Sequence, residues 1–422
     1  MNLSHLLKPE FLFTLIGQMI PMVGAVVILK QLAVYLGSAD YGLYALITSI
    51  IALLMVFPFG SLLQGVSRYV PIYAQRGSLR MFLSKAFFHY SIILGITLLG
   101  AAGIYLLFLD LEPSLFATMA LFSITTIYKS FFLGVNNSRR ERKSIFWANL
   151  YEYGFKIVLL FAVYYFFHLD VTTVLQIFIL SEVFSIIILY LLGGQKIDIR
   201  FELEKKDKVI FLKVLHFSSP LILFAVLGWL RDMSGRWYLN HFMDLEQVGI
   251  FSMLAAIAMI LPAGLQGIIG AYILPIIYEK NQADVHYARN VLLKVIPVYL
   301  SFVVAGFALL SMFHAQIIHI VSDAKYAGFS WMLPWLFLAY GIYSASVLAT
   351  YEIYACKQIK KLFLPFFLSG IFALVMGYIF IFNFGIAGAL YNFIGTYIVF
   401  SVATFAAAIR FNLSKQNQIG VA

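Results

Sequence analysis

Eight ionisable side chains interrupt otherwise apolar stretches of this 422-residue chain: Lys30, Lys129, Glu152, Lys156, Glu182, Arg231, Asp232 and Arg236. A charge at the centre of a bilayer costs on the order of 3 kcal/mol by insertion measurements, so such residues normally face a partner or a watery cavity. Depth separates them. Lys30 and Arg236 fall within two turns of one boundary and Lys129 within two turns of the other, so these three could instead snorkel to headgroups. Lys156, Glu182 and Arg231 are too deep for that. Asn149, Glu152 and Lys156 are spaced to share one helix face, and Glu152 with Lys156 has the i, i+4 spacing of an ion pair. Asp232 and Arg236 repeat that spacing, which predicts a local pair and leaves Arg231 without a neighbour. Five cations against three anions predict a positive surplus at bilayer depth. Unpaired Arg and Lys there suit an anion, and a phosphate is the anion that a guanidinium grips best. Glu182 has no local partner. It either pairs across the bundle with Lys156 or Arg231, or serves as a carboxylate coupled to H+ or Na+.

These residues need helices to hold them. Apolar runs of about 20 residues, each sufficient for a core of roughly 30 Å, recur at 11–36, 41–63, 82–108, 113–135, 145–167, 172–193, 214–239, 247–278, 289–313, 329–351, 362–384 and 386–410. Lysine and arginine gather in alternate connections: Lys8, the Arg68 to Lys85 group, Arg139 to Lys143, Lys196 to Lys213, Lys280 to Lys294, Lys357 to Lys361, and Arg410 with Lys415. Positive charge marks the cytoplasmic side, which predicts a multi-pass membrane protein with both termini in the cytoplasm. The fold class expected is an all-α integral membrane protein, twelve transmembrane helices in two six-helix bundles around a central cavity.

Composition agrees. Hydrophobic residues make up 62% and charged residues only 11% of the chain, outside the range of soluble domains. The net charge of +10 is accounted for by cytoplasmic loops facing anionic lipid, so no nucleic-acid partner is expected. Cys356 is the single cysteine, which excludes an internal disulfide. The first apolar run is too long for a cleavable signal and reads as a retained anchor. Histidines show no metal-ligand spacing, no phosphate-binding glycine loop is present, and the outer connections are short. No cofactor and no enzymatic activity are expected.

The chain divides near its middle into 1–193, a charge-rich cytoplasmic linker at 194–213, and 214–422. The halves match weakly. A slide of 207 residues lays Gly42 on Gly249, Tyr44 on Phe251 and Ile50 on Ile257, with an acidic residue shortly before each glycine. Six helices repeated in the same orientation predict a pseudo-axis along the membrane normal, as in transporters that rock between two access states. The glycines and prolines from Pro262 to Pro275 mark helix eight as a candidate bending element.

Three stretches carry a family resemblance: Leu36-Gly-Ser-Ala-Asp-Tyr-Gly-Leu-Tyr-Ala-Leu, Gly65-Val-Ser-Arg-Tyr-Val-Pro-Ile-Tyr-Ala, and Ser219-Pro-Leu-Ile through Trp229 and Arg236 to Val248-Gly-Ile-Phe. With them the chain resembles the polysaccharide branch of the multidrug/oligosaccharidyl-lipid/polysaccharide flippase superfamily, and most of all bacterial O-antigen flippases. The resemblance implies transfer of an undecaprenyl-pyrophosphate-linked oligosaccharide between leaflets, with membrane lipid and other polysaccharide assembly proteins as partners. Its diphosphate suits the cations. Two other readings stay open: an ion-coupled drug exporter of the same superfamily, which favours an acidic cavity, and a multi-helix polymerase or ligase, which favours a large outer loop.

Overall fold

A bilayer offers the backbone no water, so every spanning amide must be satisfied inside its own helix or barrel. The chain solves this entirely with helices. The computed structural model describes residues 9–108, 112–167, 169–194, 205–280, 286–356 and 358–419, and no strand occurs among them. In chain order the helices are α1 Pro9–Tyr35, α2 Ser38–Gln75, α3 Leu79–Phe108, α4 Pro113–Ser138, α5 Arg142–Phe166, α6 Val171–Leu192, α7 Lys205–Phe242, α8 Leu245–Lys280, α9 Tyr287–Val321 and α10 Met332–Ala355. The last apolar stretch, Phe363–Ile419, breaks at Gly385 into α11 (363–384) and α12 (386–419). Among the described residues twelve helices follow the twelve apolar runs of the sequence, and the chain is a multi-pass all-α membrane protein. Boundaries move outward in places. Helix α9 kinks at Phe313, where φ is −122° and ψ 17°, and a further helical segment runs on to Val321, while a short 3₁₀ turn at Ala324–Phe329 occupies what reads as a loop.

Local chemistry sets the ends and bends. Asp170 caps α6, its carboxylate accepting from the Thr173 amide at 2.8 Å. Gly385 turns the chain at φ 55°, ψ −131°, a conformation closed to residues with a Cβ. Within α2, Pro58 cannot donate a backbone hydrogen bond, and the helix opens to a π-turn over Met55–Gly60 with Phe57 at φ −134°, ψ 119°. Ser61 Oγ donates to Val56 O at 3.2 Å and takes up one of the freed carbonyls.

The chain forms two compact units, one of Met1–Leu36 with Ile47–Val226, the other of Gly37–Leu46 with Leu227–Ala422. Residues 195–204, most of the first half of the expected linker, and Lys8 lie outside the described residues, and from Lys205 the chain is already helical. The first unit is centred on a cluster including Phe59 and Val70 of α2, Phe82 and Tyr90 of α3, and Ile127 and Phe131 of α4. In the second unit α10 packs against α8, α9 and the final helical pair and is the most enclosed of the described spanning helices.

Apolar helices gain little from the hydrophobic effect inside a membrane, so their association rests on close van der Waals contact at small residues. In the first unit Gly24 receives the ring of Tyr153, and Gly134 receives Leu63. The tightest crossing lies in the second unit. A Cβ on Gly42 would strike the Leu245 carbonyl, and one on Gly249 the Ser38 carbonyl. Ser38 Oγ donates to Glu246 Oε1 across the same junction at 3.2 Å. The two glycines that superpose in the internal match therefore touch one another.

Candidate charged sites

Each unit buries one cluster of the ionisable residues. In the first unit α4, α5 and α6 bring together Lys129, Glu152, Lys156 and Glu182. Lys129 Nζ donates to Glu152 Oε1 at 2.8 Å and to Glu182 Oε1 at 2.6 Å. Lys156 Nζ donates to the same Glu152 oxygen at 2.7 Å and lies 3.9 Å from Glu182 Oε1. The other Glu182 oxygen accepts from Thr125 Oγ1 at 2.9 Å and Thr126 Oγ1 at 2.8 Å. Lys156 also sits over the Phe178 ring, 4.7 Å from its centroid. Desolvating four charges is offset only by pairing this complete.

The i, i+4 pair of Glu152 and Lys156 forms as the spacing predicts. Lys129, a candidate for reaching the headgroups, instead bridges both carboxylates. Glu182 is not alone: its partner is chiefly Lys129, a residue of α4. Asn149 does not join the cluster. Its Nδ2 donates to Gly17 O of α1 at 2.9 Å. Lys30 lies exposed on α1.

In the second unit Arg231 is the centre. Its Nε donates to Asp232 Oδ1 at 2.7 Å and its Nη2 to Asp232 Oδ2 at 2.9 Å, a two-point grip on the adjacent residue. Nη2 also donates to Tyr343 OH at 3.1 Å, while Tyr397 OH donates to Asp232 Oδ1 at 3.0 Å. Four rings enclose the guanidinium: Tyr343 and Phe400 with centroids at 4.7 Å, Phe366 at 5.4 Å and Tyr397 at 5.7 Å. Arg231 is 7% exposed, yet its Nη1 has no hydrogen-bond partner among the described residues.

This corrects the local reading of α7. Asp232 pairs with Arg231, not Arg236, and Arg236 donates to Ser252 Oγ at 3.0 Å and back to the Asp232 carbonyl at 3.1 Å. Neighbouring residues on a helix ordinarily point apart. Here the aromatic cage fixes the long arginine stem so that its head returns to Asp232. Four of the charges thus close into a neutral tetrad, and Asp232 balances Arg231. Sequence reasoning missed Thr125 and Thr126, although both stand three or four residues before Lys129 on the same helix face. It also missed the cage, whose Tyr397 and Phe400 are spaced to share one face of α12.

The comparisons with known proteins converge. The model of a family described as polysaccharide biosynthesis proteins matches residues 8–280. Solved structures similar to the chain include an inward-facing multidrug resistance MATE family transporter of the MOP superfamily, at 14% identity and TM-score 0.71, covering 96% of this chain and 99% of that one. The lipid II flippase MurJ in an inward closed conformation matches at 15% identity and TM-score 0.69, covering 98% and 91%. An outward-facing MATE structure follows at 12% identity and TM-score 0.63, covering 96% and 95%. No curated protein sequence matches the chain. At such identities the likeness is one of fold alone.

Proposed function

Because the chain belongs to the polysaccharide biosynthesis protein family, we propose that it is a flippase for a lipid-linked oligosaccharide. Its cargo in this reading is an undecaprenyl-pyrophosphate-linked repeat unit, of O-antigen or a similar polysaccharide. The direction is from the cytoplasmic to the periplasmic leaflet of the inner membrane. The observation that carries the reading is the family match over residues 8–280 together with a MOP-superfamily fold spanning nearly the whole chain. Transport proceeds by alternating access of the two halves, the movement that repeat-built transporters use.

The charged sites support an anionic cargo, in a revised form. Arg231 keeps one guanidinium nitrogen uncommitted inside an aromatic cage. An uncommitted buried donor destabilises the empty site and favours a phosphate oxygen that satisfies it. Arg231 is therefore the first substrate contact, with Tyr343 and Tyr397 holding its orientation. Lys129, Lys156, Glu152 and Glu182 act as a balanced group. They reach the cargo only if the tetrad opens. Coupling to H+ or Na+ through Glu182 likewise requires its carboxylate to leave Lys129, Thr125 and Thr126.

The alternative is an ion-coupled exporter of another cargo in the same superfamily. The balanced tetrad favours it to the extent that a neutral site has no preference for anions. Complementation of a strain lacking its polysaccharide flippase separates the two. Restored surface polymer of unchanged linkage is expected. Absence of polymer with the protein present in the membrane, together with exported cationic dye, would favour the exporter. Accumulated single capped units would point to an enzyme.

A further inference from the structure

The Arg231 head is closed to an incoming anion. Four rings enclose it, and the edge that carries Nε and Nη2 is held by Asp232 at 2.7 Å and 2.9 Å. The Arg231 side chain is 3% exposed and that of Asp232 is 31% exposed, so the carboxylate stands on the open side of the pair. A phosphate that is to use the two-donor edge must displace a carboxylate that already fits it. Arg236 lies four residues further along α7. Its hydrogen bonds go to Ser252 Oγ, the Asp232 carbonyl and the Met233 sulfur, none of which is a carboxylate. An acid four residues before a base is the favourable order for an ion pair on a helix. Asp232 thus has two stations within one turn of α7: Arg231, which it occupies, and Arg236, which the spacing offers.

We propose that Asp232 sets the specificity of the Arg231 site, covering the guanidinium when the site is empty and moving to Arg236 when a pyrophosphate takes its place. The bilayer is crowded with phosphodiester headgroups, each carrying one negative charge. Such a group brings Arg231 no more charge than Asp232 already supplies, so exchanging one for the other gains nothing and costs the freedom of the lipid. A pyrophosphate carries at least two negative charges. After the exchange its second charge is still attracted to the guanidinium, while Asp232 is neutralised by Arg236 and does not repel it. A competitor of one charge thereby rejects ligands of one charge and admits those of two or more. The exposed carboxylate can make this move while the buried arginine stem stays fixed among its rings. The inference rests on Arg231 meeting the phosphate of the cargo, as proposed above, and adds the residue that makes this contact selective.

Native mass spectrometry of the full chain in detergent tests it, with undecaprenyl pyrophosphate and phosphatidylglycerol added at equal concentration and the ratio of the two retained lipids as the readout. The unaltered protein is expected to favour the pyrophosphate about tenfold, the factor that one charge-assisted hydrogen bond confers. Asp232→Asn is expected to bring the ratio close to one by raising retention of phosphatidylglycerol. Asp232→Glu, which keeps a carboxylate beside the guanidinium, is expected to keep the preference. Arg236→Gln is expected to lower retention of the pyrophosphate about tenfold, and to have no effect in the Asp232→Asn background. An unchanged ratio in Asp232→Asn overturns the proposal. Undiminished pyrophosphate retention in Arg236→Gln does so too, and decides the question if the asparagine variant does not accumulate. Equal losses from Arg236→Gln in both backgrounds mean that Arg236 touches the lipid directly, which also overturns it. Arg231→Ala separates the two levels: if it retains the pyrophosphate as well as the unaltered protein does, the cargo contact itself is wrong, and the role of Asp232 falls with it.

Discussion

Replacing Lys129 by methionine tests whether the tetrad is one coupled unit. The side chain contributes two short contacts, 2.8 Å to Glu152 and 2.6 Å to Glu182. At an effective dielectric of about 20 their combined attraction is on the order of 12 kcal/mol. Lys156 shares the same Glu152 oxygen, which places the two ammoniums within about 5.5 Å and returns about 3 kcal/mol as repulsion. Desolvation of a largely buried ammonium removes several more, leaving a net loss of about 3–5 kcal/mol, the range found when one partner of a buried pair is deleted. Glu182 would then face its nearest ammonium at 3.9 Å with the cluster left at one net negative charge. The double variant Lys129→Met with Glu182→Gln restores neutrality and keeps the Lys156–Glu152 pair, so it is expected to lie within about 1.5 kcal/mol of the original protein. The assay is reversible unfolding in mixed micelles, run as a double-mutant cycle, with surface polymer scored in the same strains. A coupling of at least about 2 kcal/mol is expected. If the two single losses simply add in the double variant, the tetrad is not a unit and the geometry of Lys129 has been misread. A double variant that is stable but inactive assigns the tetrad to transport. One that is stable and active makes it structural.

Three further outcomes are expected. Arg231→Ala should abolish surface polymer with the protein still in the membrane, while Arg231→Lys should keep a fraction of function, because an ammonium cannot copy a two-point grip; normal polymer in both variants would remove Arg231 from substrate binding. Gly42→Ala should lower stability by about 3 kcal/mol or more, since the new methyl meets the Leu245 backbone and not a movable side chain. Gly77→Ala, at φ 67° with open space around it, should cost only about 1 kcal/mol, and equal losses at the two positions in thermal unfolding would contradict the crossing. Finally, a cysteine at Gln195, with Cys356 replaced, should resist impermeant thiol reagents applied outside intact spheroplasts, and ready labelling would reverse the orientation and the direction of transport.

Sequence by itself determined the class, the twelve helices and most of their limits, because a bilayer leaves one backbone solution for an apolar run of spanning length. Even the one-residue connection at 385 was legible, and Gly385 occupies it with a backbone that needs glycine. The ion pair of Glu152 and Lys156 was also legible, since helix geometry alone brings i and i+4 together. Tertiary structure decided what spacing could not. Glu182 finds Lys129 on another helix. Arg231 turns to its neighbour Asp232 because rings from α10, α11 and α12 enclose its head. The same spacing rule that succeeded for Glu152 and Lys156 failed for Asp232 and Arg236, where competing partners came from other helices. Gly42 and Gly249 share a local pattern that marks them as equivalent. That they press against each other, with no room for a methyl group, follows only from the packed fold.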